Sequence, residues 1–129
     1  LSKANLEQAN LEEADLTGVE LNKANMIGAR LKHAQMLGAN LANTNLQGAD
    51  LLETNLRNAN LSDANLRGAS LSESTLRGAG LVVADLLKAQ LHGANLIRAD
   101  LRGAKVTTEQ LDQAKSLKGA IMPDGTVHP

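Results

Sequence analysis

The chain has 129 residues, with 13 Lys and Arg against 14 Asp and Glu, and it contains no aromatic residue and no cysteine. A formal net charge of −1 argues against a general binder of nucleic acid or membrane surfaces. The missing cysteines exclude disulfides, thiol chemistry and thiolate-held metals. No signal-peptide or transmembrane pattern is legible, which points to the cytoplasm, although the chain opens in register at Leu1 without Met, as if a segment upstream had been removed.

From its first residue the chain repeats with a period of five. We number the slots of one unit on Ala59-Asn60-Leu61-Ser62-Asp63 as one to five. Slot three is Leu from Leu1 to Leu101 except at Met26 and Met36, and slot one is Ala from Ala4 to Ala104 except at Val19, Thr44, Thr54 and Ser74. In an α-helix successive slot-three leucines would lie about 140° apart and leave no apolar stripe. In a flat strand an odd period sends each Leu to the opposite face. The chain must therefore turn once per unit, so that every Leu and Ala faces one shared interior, which makes a solenoid of stacked coils. Glycine at slot five, at Gly18, Gly28, Gly38, Gly48, Gly68 and Gly78, suits a turn residue with positive φ. These glycines stack in columns if four units close one coil, with Asn58 filling a gap. About five coils at about 4.8 Å per layer give a rod roughly 25 Å long. An interior that narrow admits only uniform medium and small side chains, which accounts for the missing aromatics.

Residues 1–20 carry Glu7, Glu12, Glu13, Asp15 and Glu20 against Lys3 alone. Repelling carboxylates deter edge pairing at an open end; the competing reading is a dock for a basic partner. Residues 21–80 are the regular body. There the column Asn5, Asn25, Asn45 and Asn65 is expected to bond along an amide ladder, and the hydroxyls of Thr44, Thr54 and Ser74 are expected to satisfy main-chain carbonyls. The column Glu13, His33, Glu53 and Glu73 presents its groups in a line rather than converging them on a point, so no metal site and no cofactor are expected. Arg57 and Arg77 also stack, but with Arg67 on the opposite side they form no continuous basic groove. With no aromatics to stack on bases, nucleic acid is not the expected partner.

Residues 81–100 break the pattern. The glycine rhythm fails at Lys88 and resumes one unit out of phase at Gly93 and Gly103. In the same coil Val82, Val83 and Leu87 fall in slots four and five, which places them outward around one corner, with Ile97 on an adjoining side. An apolar cluster rimmed by Asp63, Arg67 and Arg102 has the anatomy of a binding patch, unless the C-terminal tail folds over it. After Val106 the repeat stops. Thr107 with Gln110 fits a capping box, Leu111, Ala114 and Leu117 share one face of a short helix, and Gly119 stands at its C-cap. Pro123-Asp124-Gly125 is a turn.

The unit A(D/N)LXX, repeated over twenty times across residues 1–105, resembles the pentapeptide repeat proteins, and the tail is similar to endings of cyanobacterial members. The resemblance implies an all-β solenoid, a right-handed quadrilateral parallel β-helix over residues 1–106, with a short capping α-helix and tail over 107–129. Relatives include regulators of cyanobacterial differentiation and proteins protecting DNA gyrase, so membership alone does not choose a role. A non-enzymatic protein-binding or regulatory scaffold is the favoured reading, with Val82, Val83, Leu87, Ile97, Arg67 and Arg102 as its protein-binding patch and no catalytic residue. The alternative is a DNA mimic acting on a type II topoisomerase, which calls for a long acidic rod, whereas this chain turns more basic after residue 57. An enzyme is disfavoured because no nucleophile–base pair, phosphate loop or metal cluster is visible. The expected partner is another protein, with no nucleic acid and no membrane. A monomer is favoured over an end-to-end dimer through the first coil.

Overall fold

The computed structural model describes all residues, Leu1–Pro129. The rise from one coil to the next is fixed by main-chain hydrogen bonds, and the unit at Asn60 shows how. Asn60 N–H donates to Ala39 O at 2.9 Å in the coil before. Leu61 N–H donates to Gly80 O at 2.7 Å and Asp63 N–H to Val82 O at 2.9 Å in the coil after. Ala64 N–H closes the turn on Leu61 O at 3.1 Å. Slot-two residues pair in parallel at a constant offset, Asn5 with Asn25, Asn25 with Asn45 and so on to Asp85 with Lys105, and the same offset holds on the other three sides. Four units therefore close each coil of a right-handed quadrilateral β-helix. Every slot-five residue from Lys3 to Gly103 has positive φ, between 54° and 70°, as the third residue of such a turn requires.

The one N–H of the unit left over, at slot four, is satisfied by a side chain wherever slot two is Asn or Asp. At every slot-two Asn or Asp from Asn5 to Asp100, the side-chain oxygen accepts the slot-four N–H two residues on, as in Ser62 N–H to Asn60 Oδ1 at 3.0 Å. This Asx-turn bond gives the repeat its Asn/Asp preference, because a buried or half-buried N–H without a partner is costly. The amide ladder expected along Asn5, Asn25, Asn45 and Asn65 is largely replaced by it: with the oxygens engaged, only Asn25 Nδ2 reaches Asn5 Oδ1, at 3.5 Å. The buried hydroxyls do bond to main-chain carbonyls: Thr44 to Leu41 O at 2.6 Å, Thr54 to Leu31 O at 2.9 Å and Ser74 to Leu71 O at 2.6 Å.

The interior is one column of slot-three Leu or Met and slot-one Ala, fully buried from Leu21 to Leu101 and half-buried in the first coil at Leu6, Leu11, Leu16 and Val19. The tail differs from the sequence expectation. The only helix, α1 (Thr108–Asp112), has the expected capping box between Thr107 and Gln110 but ends with its C-cap at Gln113. It takes the place of one corner of a sixth coil: Gln110 Nε2 donates to Leu86 O at 2.6 Å and Ala89 O at 2.9 Å, and Leu111 is buried over the coil end.

Beyond α1 the repeat returns, displaced by one residue, for Ser116 pairs with Asn95 where the earlier offset would have brought Lys115. Leu117 and Gly119 are thus not helix face and C-cap. They occupy slots three and five of a further unit, with Gly119 at φ 72° and Ala120 fully buried. Ile121 pairs with Asp100 on one edge and with Val127 on the other, after the chain reverses at Met122–Gly125. No helix is long and apolar enough to cross a membrane.

Leu61 is fully buried and Ser62 is partly exposed on the adjacent turn. Leu61→Ala should cost about 2–5 kcal/mol, because a closed coil cannot collapse around the void, whereas Ser62→Ala should be nearly silent. Denaturant melts that destabilise both variants equally would overturn the inside–outside assignment.

Candidate protein-binding face

Turn residues form the corners of the rod, so a surface is read by corner and layer. Val82 and Val83 occupy the turn Leu81–Ala84, and Leu87 occupies the next turn, Leu86–Ala89. The three do not share one corner, as the sequence reading placed them. They flank one side of the rod across Asp85. Val83 is 51% exposed, while Val82 and Leu87 are half-buried. Val83 also stands at φ 61°, a conformation that crowds the Cβ of an L-residue and suits a β-branched one worst. Gly103 lies directly over Val83, where a Cβ would make only an ordinary contact of 3.4 Å with Val83 Cγ2, so steric room does not account for the slipped glycine rhythm. At Gly93 a Cβ would meet the Glu73 carboxylate, the movable end of an exposed side chain.

The two rim arginines are held. Arg67 donates to Asp85 Oδ2 at 3.2 Å across a layer, in the middle of the apolar side. Partial burial opposes the charge on Asp85, but the Leu87 N–H and the Arg67 guanidinium outweigh it and keep its carboxyl below the ordinary aspartate range. Arg102 grips Asp100 with Nη2 at 2.6 Å and Nε at 2.9 Å, and this fork holds the Asp100 carboxyl below its ordinary range. Ile97 is not part of the same side. It stands on another corner, in a groove of about 440 Å³ with Arg77, Arg98, Lys118 and His128. The tail leaves Val83 exposed, although α1 bonds to the turn carrying Leu87 and Pro123 continues Val83's corner one layer beyond Gly103.

In the column Glu13, His33, Glu53 and Glu73 one pair forms, with His33 Nδ1 at 3.4 Å from Glu53, and His92 reaches Glu73 from slot four, with Nε2 at 4.0 Å. Sequence reasoning missed the basic groove, because the residue inserted after α1 brings Lys118 over Ile97 and so extends the column of Arg57 and Arg77. The signal was present in Leu117-Lys118-Gly119-Ala120, which repeats the order of slots three, four, five and one.

A model of the pentapeptide repeat region matches residues 4–81, and a model of eight pentapeptide repeats matches residues 69–107. Among solved structures, the chain is similar to the pentapeptide repeat protein Rfr23 of the cyanobacterium Cyanothece, with 30% identity over 86% of each chain and a TM-score of 0.79. It is similar to a pentapeptide repeat protein of the cyanobacterium Nostoc, with 28% identity over 87% of this chain and 84% of that one and a TM-score of 0.64. A pentapeptide repeat protein of the Arabidopsis thaliana thylakoid lumen shares the fold, with 24% identity over 98% of this chain and 85% of that one and a TM-score of 0.72. Among curated proteins none matches.

The fork between Arg102 and Asp100 has a pH signature. A carboxyl depressed in the folded state contributes stability above its unfolded pKa and loses that contribution as pH falls through the folded one. An NMR titration should find Asp100 titrating below the ordinary aspartate range, and Arg102→Gln should move its midpoint upward. A midpoint indifferent to Arg102→Gln would show that the fork does not hold it.

Proposed function

We propose that this chain, which belongs to the pentapeptide repeat family, is a non-enzymatic scaffold that binds another protein along the side bearing Val82, Val83 and Leu87. The rod presents its side chains in straight columns, one residue per layer, and such lines favour extended contact over convergence on a reacting atom. The observation that carries the reading is Val83. Backbone strain at an exposed position does nothing for the fold, and strain of this kind gathers at functional sites. Asn43 and Asn58 occupy the same slot at φ 58° and 56°, so a residue better suited to the conformation fits there. The Asp85–Arg67 pair between the apolar residues gives the surface a polar fixture that would orient a partner. Ile97 lies on another corner and the proposed face does not include it, whereas Arg102 stands one layer over Val82 with its guanidinium turned onto Asp100.

The test is Val83→Asn. Asn tolerates the left-handed region, so the melting temperature should hold or rise, by up to about 1 kcal/mol of stability. Proteins captured by the immobilised chain should be lost with the same substitution. A variant that melts markedly earlier would show that Val83 serves the fold, and a variant that captures the same proteins would move the binding surface elsewhere.

A further inference from the structure

The chain has six arginines, and the corners divide them sharply. Arg30 is paired with Glu12, Arg67 with Asp85 and Arg102 with Asp100. Arg57, Arg77 and Arg98 have no carboxylate partner, and all three stand on one corner. Their stacking is set by the backbone: Asn58 N–H donates to Arg77 O at 3.0 Å, Gly78 N–H to Ile97 O at 2.9 Å and Arg98 N–H to Lys118 O at 3.0 Å. Lys118 thereby continues the column. The turns on this corner, from Thr17-Gly18 through Lys118-Gly119, contain no acidic residue. The groove at its C-terminal end is lined by Arg77, Ile97, Arg98, Lys118, Gly119, His128 and Pro129. Among these residues Pro129 O lies 2.9 Å from His128 Nδ1.

Like charges stacked in successive layers repel one another, and this costs the fold stability. Elsewhere the rod sets opposite charges against its arginines. On this corner it accumulates cations instead.

We propose that the corner formed by Arg57, Arg77, Arg98 and Lys118 is a docking ridge for an acidic, extended segment of a partner protein. This goes beyond the apolar side at Val83 and does not depend on it. The spacing suits such a segment. Four layers span about 14 Å, and side chains on one face of an extended peptide recur about every 6.8 Å, so three acidic side chains meet the ridge. Ile97, placed in the slot-four column between Arg77 and Lys118, offers an apolar floor to their aliphatic stems. Arginine forks bind carboxylates in bidentate fashion, which gives the contact direction as well as charge. A nucleic-acid strand would find the phosphate contacts but no aromatic side chain on which to stack its bases.

The probe is a fluorescein-labelled peptide of about twelve residues alternating Glu and Ser, long enough to cover the four layers, with its binding followed by anisotropy. The Lys–Ser counterpart and an oligothymidylate of the same length serve as references. The Glu–Ser peptide should bind, and should weaken as salt is raised from about 20 to about 200 mM, through the range where screening sets in. It should lose about tenfold or more in affinity, about 1.4 kcal/mol or more, with the double variant Arg77→Gln, Arg98→Asn. That variant should melt no earlier than the parent, since it relieves repulsion. Should it fail to fold, Arg77→Glu alone carries the same test. Val83→Asn should leave peptide binding unchanged, so this ridge and the apolar side fail or stand separately. Absence of binding, equal binding by the double variant, loss of the peptide with Val83→Asn, or oligothymidylate binding as tightly as the peptide would each overturn the proposal.

Discussion

The structure rests on one set of contacts, the main-chain hydrogen bonds that tie each coil to the next at a fixed offset. In each unit the slot-two N–H points to the coil before, and the slot-three and slot-five N–H groups point to the coil after. Slot one closes the turn, and slot four is taken by the slot-two side chain wherever that is Asn or Asp. With the donors of slots two, three and five committed between coils, a one-residue slip would break three interlayer bonds per unit and drive Leu out of the interior. Core packing and hydrogen bonding therefore demand the same register. The polar preference at slot two, the small residue at slot one and the positive φ at slot five all follow from it.

The surface inherits that register. A residue's neighbours are those one coil away, so charge is organised in columns whether or not a column is comfortable. Some neighbours are comfortable: Glu12 meets Arg30, His33 meets Glu53, and Asp85 meets Arg67. Two places are not. Val83 holds a β-branched side chain in a left-handed turn and exposes it, and the corner of Arg57, Arg77, Arg98 and Lys118 stacks unpaired cations. A repeat that can place Gly or Asn at slot five, and a carboxylate beside most of its cations, has no structural reason for either.

The period of five, the four sides and the buried set from Leu21 to Leu101 were legible because each is a consequence of local sequence repeated many times. The Asx-turn role of slot two was legible in principle, since Asn and Asp accept a main-chain N–H two residues on. The expected ladder at Asn5–Asn65 competes for the same oxygens, and the turn bond is the shorter one. The tail misled for a physical reason. Leu111, Ala114 and Leu117 fit a helical face, yet α1 stops at Asp112 because Gln113 to Ser116 must bring the chain back onto the coil edge at Asn95. The corner assignment of Val82, Val83 and Leu87 failed because successive turns occupy successive corners. A cluster in sequence is therefore spread around the rod, while residues four units apart are brought together.

The central claim is the register, including its displacement by one residue after α1, and the chain's lack of cysteine leaves a clean background for testing it. Cysteines stacked one layer apart stand at about 4.8 Å, within the Cα separation of roughly 4.4–6.8 Å that a disulfide spans. The measurement is the rate of disulfide formation in three double variants under mild oxidation: Arg57→Cys with Arg77→Cys as the reference pair, Ile97→Cys with Lys118→Cys, and Ile97→Cys with Leu117→Cys. The account predicts that the pair at 97 and 118 closes as readily as the reference, while the pair at 97 and 117, with one residue turned to the interior, stays open. Closure at 97 and 117 in preference to 97 and 118 would contradict the displaced register, and with it the column that carries Lys118 onto the basic corner.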